Sequence, residues 1–526
     1  MEINMSDKPK MGVEVNILNK SSSTRPQLKT AESNAPETQA NSPFCIAIMG
    51  DFSGRLNHSQ FNSDKKTNPR LIEIDRDNFE EVMASFKISL NLNFSDNEII
   101  NIDLKELDDF HPDELYENLE SFSKLRSLRR RLNKPASFAD AAAEIQGWLP
   151  AGDTTGNQPV AQQTPANSTT SDISTDNLLD SILGSQLDQT TNSTSAEATH
   201  IDSLIKSIVA PYVEPATDPR QDEMLAMLDM ATQSHMRDIL HHTEFQTMES
   251  AWQSVYFLIK RLETDSKLKI FLLDISKQEF QEDLAIDDLS SSSIYKLFCD
   301  PSEGDLPWGI LLGNYSFTDS IDDVLSLANI GAIAQQARAP FIAAANETLT
   351  GCKSFSKTPD YEDWNHSISD GVTKAWQMLR QSPVAAYIGL ALPRFLLRLP
   401  YGKKSKPIET FSFEEMTEEN KHENYLWGNA AFIKTECLAR NFKNNGWNMH
   451  LNEVFQTNNL PVHYYKEEGE IVSKPVAEIM LTEKGGQIIN SNGLISLWSV
   501  RNTDCIRSTE YNSINENSQK ITGRWN

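Results

Sequence analysis

The chain has 526 residues, a formal net charge of −26 and 39% hydrophobic residues, which is too long for one ordinary core and more polar than an evenly folded chain. So acidic a sequence lacks the basic face that displaces counterions from nucleic-acid phosphates or holds an anionic membrane surface. Copies of it repel one another, so any self-assembly must draw on packing and strand pairing. Cys45, Cys299, Cys352, Cys437 and Cys505 are scattered, without a CxxC and odd in number, and read as reduced thiols. Met1–Lys20 has no apolar run of the signal-peptide kind and no stretch reaches the length of a membrane span. A cytoplasmic protein is expected.

Residues 1–42 are a polar arm with one exception, the segment 12–18, where Val13, Val15 and Ile17 alternate with Glu14 and Asn16. Period two predicts a lone strand, and a lone strand needs a sheet to join. The polar stretch after it, Asn19 to Ser42, could span roughly 80 Å when extended. The strand can therefore pair far from its own body or fold back onto it.

Residues 43–150 read as a compact α/β unit. Strands are predicted at Phe44–Met49, Arg70–Asp75 and Ile88–Phe94, with a short helix from Asp77 to Met83. Asp109–Asp113 turns into a helix that carries Leu115, Leu119, Phe122, Leu125 and Leu128 on one face. Residues 151–219 are a polar linker holding two amphipathic helices. The first, 176–187, has Leu178, Leu179, Ile182 and Leu183 in a stripe; the second covers 201–209. Helices this short are marginal alone and become ordered by docking.

Residues 220–526 form the largest predicted domain. A long helical stretch from Asp222 to Leu262 is followed by a strand at Leu268–Asp274, a helix near Gln278–Leu284 and a strand at Trp308–Gly313. A helix at Ile321–Ala337 and a strand at Pro340–Ala345 come next. The alternation predicts a parallel sheet covered by helices. The fold class expected is α/β: two α/β domains joined by a disordered linker and short helices, with an extended N-terminal β-arm.

The sequence offers little chemistry. Gly50-Asp-Phe-Ser-Gly54 follows a strand as a phosphate loop does, but its glycine spacing is wrong and no Lys-Ser/Thr follows. His241 and His242 are adjacent, so on a helix they point about 100° apart and do not share a metal. Arg394 and Arg398 lie in a strongly apolar run and must find carboxylates or carbonyls, which predicts structural ion pairs. The basic cluster Arg126, Arg129, Arg130 and Arg131 reads as a solvated face, or more sharply as a charge-matched subunit contact. No catalytic, cofactor-binding or metal-binding residue is expected.

Several runs resemble the large subunit of the type VI secretion contractile sheath. These are Ile239–Gln246 with Glu249 and Trp252, Trp308–Tyr315, Ala337–Ile342, Tyr387–Tyr401, Tyr425–Ala431 and Gly446-Trp447. Residues 43–150 resemble the small sheath subunit through Gly50–Gly54, Ile74-Asp75 before Asn78-Phe79, and Asp108–Leu132. The resemblance implies a structural protein of a tail-sheath-like tube, which contracts by lattice rearrangement without catalysis. It implies other sheath subunits or copies of the chain as partners, together with an inner tube and a baseplate. Val13, Val15 and Ile17 match the small subunit's strand-adding arm. Leu178, Leu179, Ile182 and Leu183 match the helix that a recycling AAA+ unfoldase grips. Trp252, Trp427, Arg394 and Arg398 are expected in structural roles. In the family the two parts are separate chains, and the large subunit continues further. A non-polymerising accessory, cap or baseplate adaptor of the same system is therefore the alternative reading.

Overall fold

The computed structural model describes residues 42–55, 57, 69–95, 98–146, 221–300, 306–417, 422–452, 454–467, 469–517 and 519–525. The arm strand at 12–18, the tract 151–219 and both of its helices lie outside the described residues.

The described strands, in chain order, begin with β1 (Phe44–Gly50), β2 (Leu71–Ile74), β3 (Ile88–Ser95), β4 (Glu98–Leu104) and β5 (Leu268–Asp274). Next are β6 (Trp308–Phe317), β7 (Phe341–Ala345), β8 (Ile388–Leu392), β9 (Phe395–Leu396) and β10 (Trp427–Gly428). The last are β11 (Phe455–Thr457), β12 (Tyr464–Glu467), β13 (Glu470–Ser473), β14 (Ile495–Ser499) and β15 (Ile506–Ser508). Nine of them make one sheet in the order β11-β15-β14-β8-β7-β6-β1-β5-β2. The six from β14 to β5 are parallel; β2 and β15 run antiparallel to them at the two sides, and β11 pairs antiparallel with β15.

This sheet does not respect the division drawn from the sequence. Strand β1, from the 43–150 segment, lies between β5 and β6 of the 220–526 segment. It pairs with β5 from Phe44↔Leu268 to Gly50↔Asp274, and with β6 from Cys45↔Trp308 to Met49↔Gly313. Strand β2 adds to the outer side of β5. All seven residues of β1 are buried, as both faces of a central parallel strand must be. The segments therefore share one sheet, with a helical layer on each face.

The period of two in β1 sorts its side chains. Phe44, Ile46 and Ile48 face a core built with α2 (Pro112–Asn118), α3 (Ser123–Leu132), α5 (Gln221–Leu240), α6 (Thr243–Arg261), α11 (Ala430–Asn445) and the β3–β4 hairpin. Helices α1 (Phe79–Ser85) and α4 (Pro135–Gln146) complete this side. Cys45, Ala47 and Met49 face α7 (Lys277–Leu284), α8 (Ser293–Cys299), α9 (Ile321–Ala337), α10 (Asp370–Gln381) and α12 (Glu483–Ser491). Burial drives the Cys45 thiol up to about 12. All five cysteines are free. Among the described residues no helix is long and apolar enough to cross a membrane.

Three elements differ from the sequence reading. The stretch Asp222–Leu262 is two helices, because His242 leaves the helical region (φ −65°, ψ 129°) and accepts the Glu244 N–H on its Nδ1 at 3.3 Å, capping α6. A side-chain cap can end one helix and start another without a glycine or proline to announce it. The helix expected after Asp113 breaks at Leu119, which is extended (ψ 134°). Even so, Leu115, Leu119, Phe122, Leu125 and Leu128 are all buried. Strand β4 was not foreseen, although Ile100, Ile102 and Leu104 alternate inward along it.

With so much of the core shared, the linker is not what holds the parts together. Expressed as two polypeptides cut at residue 165, the parts are expected to co-elute in equal amounts on size exclusion. Separate elution of two folded parts is the outcome that contradicts a shared core.

Candidate functional site

Several multidentate polar contacts cross the junction of the two segments. The 50–54 loop leaves the end of β1 beside the end of β5, and Asp274 closes β5. One oxygen of Asp274 accepts the N–H groups of Phe52 (2.9 Å) and Ser53 (3.3 Å). The other accepts the Ser53 hydroxyl (2.7 Å) and pairs with the Arg55 guanidinium (2.9 Å). Asp51 Oδ1 accepts the amides of Gly54 and Arg55 at 2.8 and 2.9 Å. Arg55 also reaches Glu279 at 3.2 Å. Burial would lower the Arg55 pKa, but the two carboxylates raise it above the usual arginine value. The amides that a phosphate loop would offer a ligand are thus spent on the protein's own carboxylates. The loop is a clasp between segments.

Behind the clasp, the Trp252 indole of α6 is fully buried among Phe52, Phe79 and Phe86 at ring-centroid distances of 5.7, 5.8 and 5.4 Å. Its Nε1 donates to the Phe52 carbonyl at 3.0 Å. A tryptophan of one segment fills an aromatic cage built by the other. Edge-on ring packing adds to the area it buries.

The run after β8 supplies both arginines, and the structure puts them in different settings. Arg398 is 8% exposed and is held by two carboxylates that are 0% and 1% exposed, Glu249 and Glu415. Its Nε and Nη2 donate to Glu249 at 2.5 and 3.2 Å, and its Nη1 and Nη2 to Glu415 at 2.8 and 3.1 Å. The Tyr401 amide donates to Glu415 as well (2.6 Å), and the Tyr401 ring lies 4.4 Å from the guanidinium carbon. Burial pushes the Glu249 carboxyl up against the pull of Arg398, while both carboxylates hold Arg398 well above the usual arginine value. This network ties α6 to the 398–415 segment.

Arg394 is a more exposed residue, yet it donates to the buried carboxylate of Glu478 through both Nε (3.0 Å) and Nη2. His422 Nε2 lies 3.0 Å from the same carboxylate. Burial by itself would raise the Glu478 pKa; the bonds from His422 and Arg394 prevail and hold it at about 2. Trp427 stacks on His422 at 4.9 Å and donates its Nε1 to the His422 carbonyl at 3.0 Å. Arg394 sits 6.0 Å above the Trp427 ring.

The basic cluster on α3 turns inward more than a solvated face would. Arg129 reaches Asp229 (3.3 Å) and the Thr410 carbonyl (3.4 Å) across the junction. Arg126 donates to the Leu119 carbonyl at 3.3 Å, Arg131 pairs with Glu144, and only Arg130 is exposed. The histidines are structural too: His242 caps α6, and His241 Nε2 lies 3.8 Å from Glu415. His235 is buried against the Phe94 and Phe122 rings, and burial pushes its pKa down to about 4. Among the described residues no three His, Cys, Asp or Glu side chains converge to hold a metal ion. Val13, Val15, Ile17, Leu178, Leu179, Ile182 and Leu183 lie outside the described residues.

Lys434 and the partners of the arginines escaped the sequence reading. Lys434 is buried in α11, donates to Ser508 Oγ at 2.7 Å and to the Glu510 carbonyl, and lies 3.2 Å from the Tyr511 ring centroid. Burial lowers its pKa to about 7. Its pattern in the helix gave no signal, since a lysine one position from a core stripe ordinarily snorkels outward.

Interleaved strands, a loop closed by the protein's own carboxylates and a buried charge network define an α/β fold made of two interlocked parts. The comparisons agree with that class. Residues 222–515 match the family model of VipB, the tail sheath N-terminal domain, and residues 20–149 match that of type VI secretion system VipA. The first match covers more than half of the chain, and the protein belongs to the type VI secretion tail-sheath family. A relative named type VI secretion system sheath protein TssC1, from Pseudomonas aeruginosa, is 33% identical over 293 residues. That alignment takes in 54% of this chain and 59% of the relative's length.

The two arginines should differ in energetic weight. Arg398→Met strands two buried carboxylates and is expected to cost ~3–5 kcal/mol in urea unfolding. Arg394→Met leaves Glu478 with His422, and solvent reaches the guanidinium, so about 1 kcal/mol is expected. Equal losses for the two variants would contradict the assignment of the buried network.

Proposed function

We propose that this protein is a structural component of a type VI contractile sheath, one chain supplying both a small-subunit-like and a large-subunit-like part. The observation that carries the reading is the pair of sheath-family matches falling in order on a chain whose two parts share one sheet. The proposed partners are copies of itself or other sheath subunits, packed around an inner tube above a baseplate. Contraction is a rearrangement of the lattice, and the chain carries out no catalysis. The clasp supports this, since its amides serve the fold itself.

The arm is the proposed connector. Strand addition contributes about 1 kcal/mol per net backbone hydrogen bond, against roughly 1–2 kcal/mol for ordering each residue. Burial of Val13, Val15 and Ile17 adds about 1.5–3 kcal/mol each at best. One arm is a modest link. Many arms in register hold a lattice, because each later contact is effectively intramolecular. The tether after the strand lets bodies rotate while the strand stays paired. Leu178, Leu179, Ile182 and Leu183 are the proposed grip for a recycling AAA+ unfoldase.

Deleting residues 1–20 should abolish tubes and rings in electron micrographs while circular dichroism and melting temperature stay unchanged. Unaltered particles would remove the arm from the mechanism. End-binding to authentic sheath, without incorporation along it, would instead favour the cap or adaptor role. Leu179→Asp combined with Ile182→Asp should eliminate capture by the unfoldase in a pull-down and leave the fold intact; undiminished capture rules that helix out.

A further inference from the structure

The root of the arm is gripped harder than a chain entry requires. Phe44, the first residue of β1, packs against Phe442 at 4.6 Å, Trp447 at 5.3 Å and Trp525 at 6.5 Å between ring centroids. Two residues earlier, the Ser42 carbonyl accepts the Trp447 indole N–H at 2.9 Å. Below the ring lies Gly309, where a Cβ would come within 2.5 Å of Phe44. The cage thus draws on β6, on α11 and the turn after it, and on the C-terminal strap.

That strap is itself fastened across the sheet. Ile514 N–H donates to the Ile388 carbonyl (3.0 Å) at the start of β8, and Thr522 N–H to the Ala386 carbonyl (2.8 Å) in the turn just before it. Arg524 donates to the carbonyls of Trp308 and Ala337, each at 3.0 Å. Any load on Phe44 is therefore shared by β6, β8, α9 and α11.

The direction of loading matters too. Strand β1 enters the sheet at Phe44 and has parallel partners on both sides. A pull on Ser42 along the strand axis slides β1 against β5 and β6 together, so its bonds are strained at once rather than one after another. Peeling from the end requires Phe44 to leave its cage first.

We propose that the aromatic cage around Phe44 is a mechanical anchor that passes tension on the N-terminal segment into the whole sheet. This rests on the reading of that segment as a connector under load. The cage prevents β1 from fraying when a neighbouring body pulls.

The test is force spectroscopy on the full chain. Handles sit at the N-terminus and at Lys353→Cys, an exposed position beyond the far end of β7. Phe44→Ala is expected to lower the mean force of the first unfolding event by about a third or more, and Trp447→Phe, which deletes the bond to Ser42 and trims the ring packed on Phe44, by less. Phe280→Ala opens a comparable cavity on the opposite face of the sheet and controls for general destabilisation; at a matched loss of melting temperature it should lower the force much less. Equal drops for Phe44→Ala and Phe280→Ala overturn the anchor, as does an unchanged force in both cage variants. Should Phe44→Ala fail to fold, Trp447→Phe against the parent carries the same decision. The measurement uses single molecules, so its failure is distinguishable from failure of arm-mediated assembly.

Discussion

Strand β1 has a neighbour on each side, and both belong to the other half of the chain. Seven buried residues acquire their hydrogen-bond partners only when Leu268–Asp274 and Trp308–Phe317 flank them. Unpaired backbone buried in an apolar layer is costly enough that neither half can complete its sheet without the other. The clasp of Asp274 on the 50–54 loop and the burial of Trp252 among three phenylalanines follow from that placement. They stand directly above and beside the seam it creates.

A seam of this kind holds the two parts together through several groups at once. Its polar contacts are multidentate: Arg55 lies between Asp274 and Glu279, and Asp274 also accepts the Phe52 and Ser53 amides and the Ser53 hydroxyl. Separating the parts leaves the half-buried Asp274 carboxylate without its donors, which costs free energy. The aromatic contacts at the other end of β1 do the same by packing. Both ends of the central strand are thus fastened to the other segment.

Much of the outline was legible in the sequence because periodicity reports burial directly. The alternation in 88–94 and the continuous apolar run of 44–49 marked strands, and the leucines between 115 and 128 marked a buried face correctly even where the helix was interrupted. Arg394 and Arg398 announced ion pairs because a guanidinium in an apolar run has no other recourse. Their partners were not legible. Glu249 lies 149 positions from Arg398 and Glu478 lies 84 from Arg394, and nothing local to either glutamate distinguishes it from a solvated one. The break at His242 was hidden for a related reason: a histidine cap is decided by a single torsion, which the hydrophobic period does not register.

By itself the sequence determined the α/β class, the polar character of 1–42 and 151–219, the inward faces of most elements and the kinship with the sheath family. Those properties reside in composition, local period and short motifs. Only the tertiary structure decided that the two segments are one body, that the 50–54 loop closes on Asp274, and which carboxylates meet which arginines. Strand order and long-range charge pairing depend on contacts between residues two hundred or more positions apart, such as Trp252 with the Phe52 carbonyl or Asp274 with the Phe52 amide. No local pattern encodes which of several compatible edges a buried strand will choose.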